Sequence, residues 1–246
     1  MKTGLLITAR LKSKRLKRKV LEPINGIPII SYLVERMKQQ FSSDQIIIIT
    51  SSSNQDKPLV EISRKLRIRS FKGDPVDVLK RMYDASKKFK FKNFISCTAD
   101  NPFVDPIYAK KLLKYHIKQK NDLTIINGLP FGTFSYAINQ KGLKKIIMTK
   151  GSKNTEIWGP YFKECKKTKV GYYQIKNQHH INNEVRLTID EKKDLDLVRK
   201  ILSKSKSHQP SLTEILKILK KFPKLIKINS NVIQKPDPKA KFNYIN

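Results

Sequence analysis

The fold is decided by the stretch GLLITARLKSKRLKRKVLEPINGIP, which spans Gly4 to Pro28. Its apolar start, Gly4 to Ala9, predicts a buried β-strand, and a strongly basic loop follows directly. Pro28 is a residue type favoured at the first position of a helix. Beyond it, apolar side chains recur at helical spacing, namely Ile29, Ile30, Leu33, Val34 and Met37. A strand, a loop and an amphipathic helix in this order predict the first unit of a parallel sheet covered by helices.

The same unit recurs through the first half of the chain. Gln45 to Ser51 contains four consecutive isoleucines, a composition that favours a fully buried parallel strand. The pattern then predicts, in order, a helix at Pro58–Leu66, a strand at Ile68–Lys72, a helix from Pro75 and a strand at Asn93–Ala99. We therefore predict an α/β fold with a doubly wound, mostly parallel sheet. Ligands bind such sheets at the carboxyl ends of the strands, so one crevice should receive the loops that begin at Arg10, Ser51, Gly73 and Asp100.

Between residues 122 and 177 the pattern loosens, and we expect a small inserted lobe. It combines a helix near Gln140–Met148 with strands at Leu123–Asn127, Phe134–Asn139 and Val170–Lys176. A strand at Val185–Ile189 and a helix at Glu191–Leu202 then complete the main domain, residues 1–203.

Residues 204–246 are expected to form a helix and an extended arm. Ser211 should cap the helix, with Glu214 as its capping-box partner. The arm begins at Lys224, where helical periodicity ends.

His179 and His180 are neighbours in the sequence before this region. In a strand, neighbouring side chains point to opposite faces, so we expect both histidines at the surface and not in one ligand set.

The charge composition points in two directions. The chain carries a formal net charge of +32, which raises nucleic-acid binding as a possible function. Only 10 of its 52 basic residues are arginines, and the lysines are spread over almost every segment. Nucleic-acid readers tend to concentrate arginine and aromatic residues on one face. A general lysine bias therefore explains the composition better, and nucleic-acid binding is the alternative from a different class.

The sequence also bears on the compartment. Apolar runs stay well below the roughly 20 residues that span a bilayer, and the start of the chain becomes charged too early for a secretory signal. Cys97 and Cys165 lie far apart without a CxxC pattern, so neither a disulfide framework nor a zinc site is indicated. We expect a cytoplasmic protein with reduced thiols and no membrane insertion.

The loop after the first strand holds the densest signal. Seven of the ten residues from Arg10 to Lys19 are basic. Crowded cations repel one another, and a triphosphate with its metal relieves that repulsion, although a solvated charge run is the plain alternative. Neither GxxxxGK[ST] nor GxGxxG occurs in the loop, so P-loop hydrolases and Rossmann dehydrogenases lose their main support.

This stretch resembles the amino-terminal signature of the cytidylyltransferases that make CMP-activated acidic sugars. The family includes a spore-coat-polysaccharide type and enzymes that activate sialic-type and octulosonic acids, with a pattern of roughly A-R-x-x-S-x-R-L-P-x-K-x-L and then G-x-P. Lys17 replaces the usual proline, and the matches are Ala9, Arg10, Ser13, Arg15, Leu16, Lys19, Leu21, Gly26 and Pro28. The resemblance implies a Rossmann-like nucleotidyltransferase fold. It also implies a CTP site made by Ala9, Arg10, Ser13, Arg15 and Lys19, with Lys19 nearest the α-phosphate.

Two further stretches resemble the metal-binding motifs of that family. Asp100 matches the first Asp of G-D-x-P-L-[IV]-D-P, with Ala99 in place of the glycine, and Asp190 matches the first Asp of R-[LW]-T-[LIV]-D-x-x-x-D-[LF]. The resemblance implies that both bind Mg²⁺, which takes one or two carboxylates together with phosphate oxygens and water. From the residues alone, Asp100 could be only a turn former and Asp190 only a helix cap.

The stretch from Lys72 to Arg81 resembles the family's R-G-x-x-x-D-V-L-x-R, which lies beside the nucleotide. Gly73 would permit close backbone approach, and Asp77 and Arg81 would order the loop or contact the nucleotide and acceptor. A plain helix cap at Asp77 is the open alternative.

The resemblance as a whole implies a magnesium-dependent enzyme that uses CTP and a small acidic acceptor, releases pyrophosphate and serves cell-surface glycan biosynthesis. Catalysis would fall to Lys19, Arg10, Arg15 and Asp100, and a homodimer is expected. A phosphorylated polyol or a phosphonate is the alternative acceptor. Trp158, next to Glu156 in the inserted lobe, either packs in the core or lines the acceptor pocket.

Overall fold

A seven-stranded sheet forms the centre of the protein in the computed structural model, which describes residues 2–13, 15–234 and 236–243. The strands in chain order are β1 (Thr3–Thr8), β2 (Pro23–Ile24), β3 (Ile27–Pro28), β4 (Ile46–Ser51), β5 (Arg69–Gly73), β6 (Asn93–Thr98), β7 (Leu123–Asn127), β8 (Tyr136–Asn139) and β9 (Val170–Gln174). The sheet has the order β5-β4-β1-β6-β8-β7-β9, while β2 and β3 form a separate two-stranded hairpin. Lys14 of the basic loop, and Lys235 and residues 244–246 of the arm, lie outside the described residues.

Helices cover the sheet on both sides. In chain order they are α1 (Ile29–Met37), α2 (Lys57–Lys65), α3 (Val78–Lys88), α4 (Pro106–Gln119), α5 (Gln140–Thr149), α6 (Gly159–Glu164), α7 (Lys192–Lys204) and α8 (Leu212–Lys221). Leu5 packs with residues of α1 and α4, whereas its neighbour Leu6 packs with residues of α3 and α5. Successive side chains of a strand point to opposite faces, so the sheet is sandwiched between two helical layers.

The sheet is mostly parallel, as expected. β1 pairs in parallel with β4 and β6, and β4 pairs in parallel with β5, whereas β8 runs antiparallel to both β6 and β7. All six residues of β4 are buried, which agrees with an isoleucine run placed inside a parallel sheet. The carboxyl ends of β1, β4 and β6 therefore lie at one edge of the sheet.

Most predicted elements are present within a few residues of their expected bounds, but the strand expected at Val185–Ile189 is wrong. This segment makes only an isolated bridge, between Arg186 and Phe131. Leu187 donates a backbone hydrogen bond to Phe131, and Ile189 donates one to Asp100. The partners of this apolar segment are loop residues, so it is buried without forming a ladder.

Two local predictions in the second half are also corrected. The histidine pair lies in a 3-10 turn, Gln178–His180, and not in a strand. His180 is half-buried: its Nδ1 lies 2.9 Å from the hydroxyl oxygen of Tyr108, and its Nε2 lies 2.8 Å from the hydroxyl oxygen of Thr213. Ser211 does cap α8 by accepting from the amide of Glu214. Glu214, however, accepts a hydrogen bond from Ser205, because the chain before the helix folds back within its reach.

The C-terminal region is partly ordered by local structure. The extended arm expected from Lys224 is corrected at its start, because Pro223–Ile228 forms a 3-10 helix. Near its end, Phe242 makes an isolated bridge to Lys150. Within the described part of the chain, none of the helices combines the length and apolar composition that a membrane span requires.

Candidate active site

A crevice of about 630 Å³ opens at the carboxyl ends of β1, β4 and β6. The structure brings most of the predicted site residues to its wall, namely Ala9, Arg10, Ser13, Arg15, Lys19, Asp100 and Asp190. Ser51 and Ser53, from the loop after β4, line it as well. The position follows from the topology, because the strands of a parallel sheet deliver their following loops to the same edge.

Lys19 is the central cation of this crevice. Its Nζ lies 2.6 Å from Asp100 Oδ2 and 2.8 Å from Asp190 Oδ1. Burial lowers the pKa of the Lys19 ammonium, but attraction and hydrogen bonds from Asp100 and Asp190 outweigh burial, so the pKa is raised. Lys19 is therefore held as a cation at the point where the two carboxylates meet.

Asp190 is surrounded by positive charge. Besides Lys19, Arg15 lies 3.0 Å from Oδ1 and Arg186 lies 2.7 Å from Oδ2. Burial raises the pKa of Asp190, but Lys19, Arg186 and Arg15 together lower it below the ordinary value. Asp194, the second Asp of the matched motif, accepts from the amide of Asp190 at 2.9 Å and so fixes this turn. Asp190 is thus kept ionised.

Asp100 and Asp190 form a donor set that fits Mg²⁺. Asp100 Oδ1 is buried and has no hydrogen-bond partner among the described residues. Within residues 2–13, 15–234 and 236–243, no three His, Cys, Asp or Glu side chains are placed to hold a metal by themselves. Two carboxylates completed by phosphate oxygens and water are the arrangement that Mg²⁺ commonly takes beside a nucleotide. Asp100 and Asp190 are the residues that could hold it.

The basic loop is anchored from its first residues. Asp56 is buried, and its carboxylate accepts from the amide of Leu11 at 2.8 Å and from the hydroxyl of Ser51. Arg10 donates to the carbonyl oxygen of Pro75 at 2.9 Å and forms an ion pair with Glu156. Burial lowers the pKa of Arg10, and attraction to Asp56 opposes this. From the sequence, Asp56 belongs to a loop that resembles the family's loop near the cytidine, but its role in anchoring the basic loop was not predicted.

The Gly73, Asp77 and Arg81 group lies behind the crevice wall. Asp77 caps α3 by accepting from the amide of Lys80 at 3.0 Å, and its carboxylate also binds Lys150 and Thr155. Arg81 is fully buried, and its Nε donates to the carbonyl oxygen of Asp74 at 3.0 Å. A Cβ on Gly73 would lie only 2.9 Å from the Cγ of Arg81. The contacts therefore agree with the loop-ordering role, and a direct nucleotide contact stays a prediction.

The family of this chain is identified by its similarity to known proteins. A family model described as cytidylyltransferase matches residues 5–222. The chain belongs to the cytidylyltransferase family. The match begins within β1 and ends just after α8, so it includes the basic loop, Asp100 and Asp190 of the candidate active site.

Two similar proteins match over nearly the whole length of both chains, and a third matches over about three fifths. The chain is 32% identical over 234 residues to an uncharacterized protein of Methanocaldococcus jannaschii, covering 94% of this chain and 95% of the relative. It is 28% identical to the spore coat polysaccharide biosynthesis protein SpsF of Bacillus subtilis, covering 89% and 94%. A 3-deoxy-manno-octulosonate cytidylyltransferase of a Nitratiruptor species is 28% identical over 61% of this chain and 62% of its own length.

The fold of this cytidylyltransferase is also found among solved structures. A cytidylyltransferase from Leptospira borgpetersenii superposes with a TM-score of 0.84 at 23% identity, covering 96% of this chain and all of the other. At that identity the likeness shows the shared fold.

A second cavity, of about 670 Å³, adjoins the crevice at the carboxyl ends of the strands. The two share Arg15, Thr98, Asp100, Glu156, Trp158 and Asp190. The wall of the second cavity is aromatic, with Phe131, Phe134, Tyr136 and Trp158. Trp158 is mostly buried against Tyr136, with ring centroids 5.0 Å apart, so it packs in the core and lines the cavity at once.

The C-terminal arm contributes the part of this cavity that sequence reasoning missed. Gln234, Pro236 and Asp237 line it, although the arm carries no motif and no periodicity. The only sequence signal was the pair of prolines, which favours extended backbone but does not say where the arm lies.

Proposed function

We propose that this cytidylyltransferase transfers CMP from CTP to a small acidic sugar, a nonulosonic or related ulosonic acid, with release of pyrophosphate. The observation that carries the proposal is the meeting of Lys19, Asp100 and Asp190 at the boundary between two adjoining cavities. A transferase of this kind needs a cationic site for a triphosphate and, beside the α-phosphate, room for an acceptor.

The basic loop supplies the triphosphate site. Arg10 and Lys19 line the crevice, while Arg15 lines both cavities. Guanidinium groups bind phosphate oxygens through paired donors, and an ammonium acts as a point charge. In this proposal Arg10 and Arg15 hold the outer phosphates and Lys19 contacts the α-phosphate, where negative charge develops during attack.

The reaction joins the contents of the two cavities. A hydroxyl oxygen of the acceptor forms a bond to the α-phosphorus, the bond from that phosphorus to the bridging oxygen breaks, and pyrophosphate leaves with that oxygen. The hydroxyl proton is lost to solvent. Asp100 and Asp190 would hold Mg²⁺, which supplies charge neutralisation on the phosphates and acidifies the attacking hydroxyl. Lys19 stabilises the developing charge on the phosphate, and no covalent enzyme intermediate is required.

The acceptor class rests on the second cavity and on the relatives. Its volume suits a single sugar, since ligand pockets commonly measure about 300–1,000 Å³. Its aromatic wall suits the apolar face of a sugar ring. One relative is named for spore coat polysaccharide biosynthesis and another for an octulosonate. These names support the proposal of an acidic sugar as acceptor and of a role in cell-surface glycan biosynthesis.

Two measurements test this function. CTP with Mg²⁺ should raise the melting temperature more than ATP or GTP with Mg²⁺, because a ligand that binds the folded state stabilises it by mass action. CTP should also release pyrophosphate with at least one acid from a panel of ulosonic acids, phosphorylated polyols and phosphonates. Equal thermal shifts for the three nucleotides would contradict the choice of base. Turnover with polyol phosphates alone would contradict the acceptor class.

We also propose a homodimer formed through residues 122–177. This region exposes large apolar side chains, including Met148, Ile157 and Tyr172, which a partner could cover. Light scattering at the dimer mass across micromolar concentrations would support the assembly, and scattering at the monomer mass throughout would refute it.

A further inference from the structure

The C-terminal arm is fastened on both sides of the second cavity. At its start, Asn229 donates to the backbone oxygen of Arg186 at 3.1 Å and to Asp194 Oδ1 at 2.8 Å. At its end, Gly151 donates to the backbone oxygen of Lys241 at 2.7 Å, and Phe242 packs edge-on against Tyr161 with centroids 5.7 Å apart. Between these anchors, Gln234, Pro236 and Asp237 line the cavity.

The middle of the arm is connected to the carboxylate site and to α6. Gln234 accepts a hydrogen bond of 2.6 Å from Arg186, which also binds Asp190. On the other side, Asp237 lies 3.8 Å from Lys163 Nζ, and Ala240 donates to Glu164 at 3.1 Å. The arm thus forms one wall of the cavity and brings Asp237 near Lys163 in another.

The side chains that line this cavity include more anionic than cationic groups. Among the described residues that line it, Arg15 and Lys163 are cationic, whereas Asp100, Glu156, Asp190 and Asp237 are anionic. An acidic acceptor needs a cation that can leave its present carboxylate partner at small cost. The choice therefore falls between Arg15 and Lys163.

Arg15 is already committed to other partners. It lies 3.0 Å from Asp190 and 3.4 Å from Glu191, at the boundary that faces the nucleotide crevice. Lys163 has a longer and more exposed contact, since the side chains of Lys163 and Asp237 are 46% and 57% exposed. An ion pair between exposed side chains contributes little, so Lys163 can change partner at small cost.

We propose that Lys163 is the residue that recognises the carboxylate of the acceptor, and that Asp237 of the C-terminal arm holds its ammonium at the cavity until the acceptor replaces it. This inference rests on the proposed function, because it assigns the charge recognition of the same reaction. It makes Lys163 and Asp237 determinants of acceptor specificity, outside the residues that bind the nucleotide.

The test compares the KM of the acceptor with the KM of CTP. Pyrophosphate release is measured with 3-deoxy-manno-octulosonate and N-acetylneuraminate, and with the neutral methyl ester of whichever acid the wild type uses. Lys163→Ala should raise the acceptor KM about tenfold, because a hydrogen bond to a charged group is lost, while the CTP KM and kcat stay within about twofold. Its preference for the acid over the ester should shrink by the same factor.

Three further variants test the roles of the Lys163 charge and of Asp237. Lys163→Arg should restore most of the acceptor affinity. Asp237→Asn should lower the acceptor KM by about two- to fivefold, because the competing carboxylate is gone. Lys166→Ala removes an equal charge from an exposed neighbour that does not line the cavity, and it should change nothing.

The outcomes separate the two proposals. If the wild type uses an acid but Lys163→Ala keeps its acceptor KM and its acid preference, the assignment of Lys163 is wrong while the proposed function stands. If Asp237→Asn raises the acceptor KM as much as Lys163→Ala does, Asp237 is itself a binding residue and the assignment is also wrong. If the wild type releases no pyrophosphate with either acid, the proposed acceptor class and this inference both fail.

Discussion

Asp190 lies beside Asp100 because the amide of Ile189 donates a backbone hydrogen bond of 2.9 Å to the carbonyl oxygen of Asp100. This single bond aligns two segments that are far apart in the chain. The two carboxylates consequently share the ammonium of Lys19. Their shared position, and not either carboxylate alone, gives the donor arrangement that suits a metal beside a triphosphate.

Neutralising either carboxylate should impair both metal binding and turnover. Asp100→Asn and Asp190→Asn keep the side-chain shape but remove a charge, so each should lower turnover by about 10² or more, roughly 2.7 kcal/mol of transition-state stabilisation. Each should also raise the magnesium concentration needed for half-maximal rate. Lys19→Ala should lower turnover strongly with a smaller change in that magnesium requirement, because in the proposed complex its ammonium leaves the two carboxylates and acts on phosphate oxygens.

Lys220→Ala, an exposed position on α8, is the control and should have no effect. Magnesium titrations of pyrophosphate release measure all four variants. Full activity of Asp100→Asn at low magnesium would show that the carboxylate pair is not the metal site.

Glu156 should compete with CTP for Arg10. Glu156 forms an ion pair with Arg10, and its side chain is about half-exposed. A triphosphate that uses Arg10 must first displace this carboxylate. Glu156→Gln should therefore lower the Kd of CTP by about two- to fivefold, the range expected for an exposed ion pair. Calorimetric titration with CTP and Mg²⁺ measures it, and the exposed Glu184→Gln is the matched control. Weaker CTP binding by Glu156→Gln would mean that Glu156 contacts the nucleotide itself.

Asp77→Ala should affect stability more than nucleotide binding. Its carboxylate caps α3 and binds the mostly buried Lys150, and losing it leaves that ammonium without its partner. Breaking a buried pair costs about 3–5 kcal/mol, so the free energy of unfolding should fall by that order. Urea unfolding measures it. Asp84→Ala removes an exposed partner of Lys80 on the same helix and should cost about 0.5 kcal/mol or less.

The direct nucleotide contact predicted for Asp77 is tested on the same variant. At a temperature where Asp77→Ala is folded, its CTP Kd should change by less than about threefold, against about tenfold for the loss of a charged hydrogen bond. A large loss of CTP affinity without loss of stability would favour the nucleotide contact.

His116 should make the protein less stable in mild acid. Burial lowers the pKa of His116 from 6.5 to about 4, and attraction to Asp122 only partly opposes this. Below pH 6.5, His116 becomes protonated in the unfolded chain but stays neutral in the folded protein. The free energy of unfolding therefore falls with decreasing pH until about pH 4. The total loss is on the order of 3 kcal/mol.

Urea unfolding between pH 7 and pH 4 measures the His116 contribution. His116→Gln should flatten this dependence, because the titrating ring is gone. His208→Gln changes an exposed histidine and should keep the slope of the wild type. An unchanged slope in His116→Gln would mean that other groups cause the acid sensitivity.

The strands of the first half could be predicted because their signals are local. The isoleucine run of β4 and the apolar stripe of α1 each predict burial from nearby residues alone. At Val185–Ile189 the same reasoning failed, because apolar composition reports burial but not the presence of a strand partner. The partial burial of His180 was not predicted for a similar reason, since its partners Tyr108 and Thr213 come from distant helices.

The sequence by itself determined most of the strands and helices, the family signature and the identity of Lys19, Asp100 and Asp190 as candidates. These depend on residue types at fixed spacing, which the chain carries whatever its tertiary arrangement. Only the tertiary structure decided that Glu156 pairs with Arg10, that Asp77 binds Lys150 and that Asp237 of the arm reaches Lys163. Each of these contacts closes a long loop, and its formation depends on how whole elements pack and not on any local pattern.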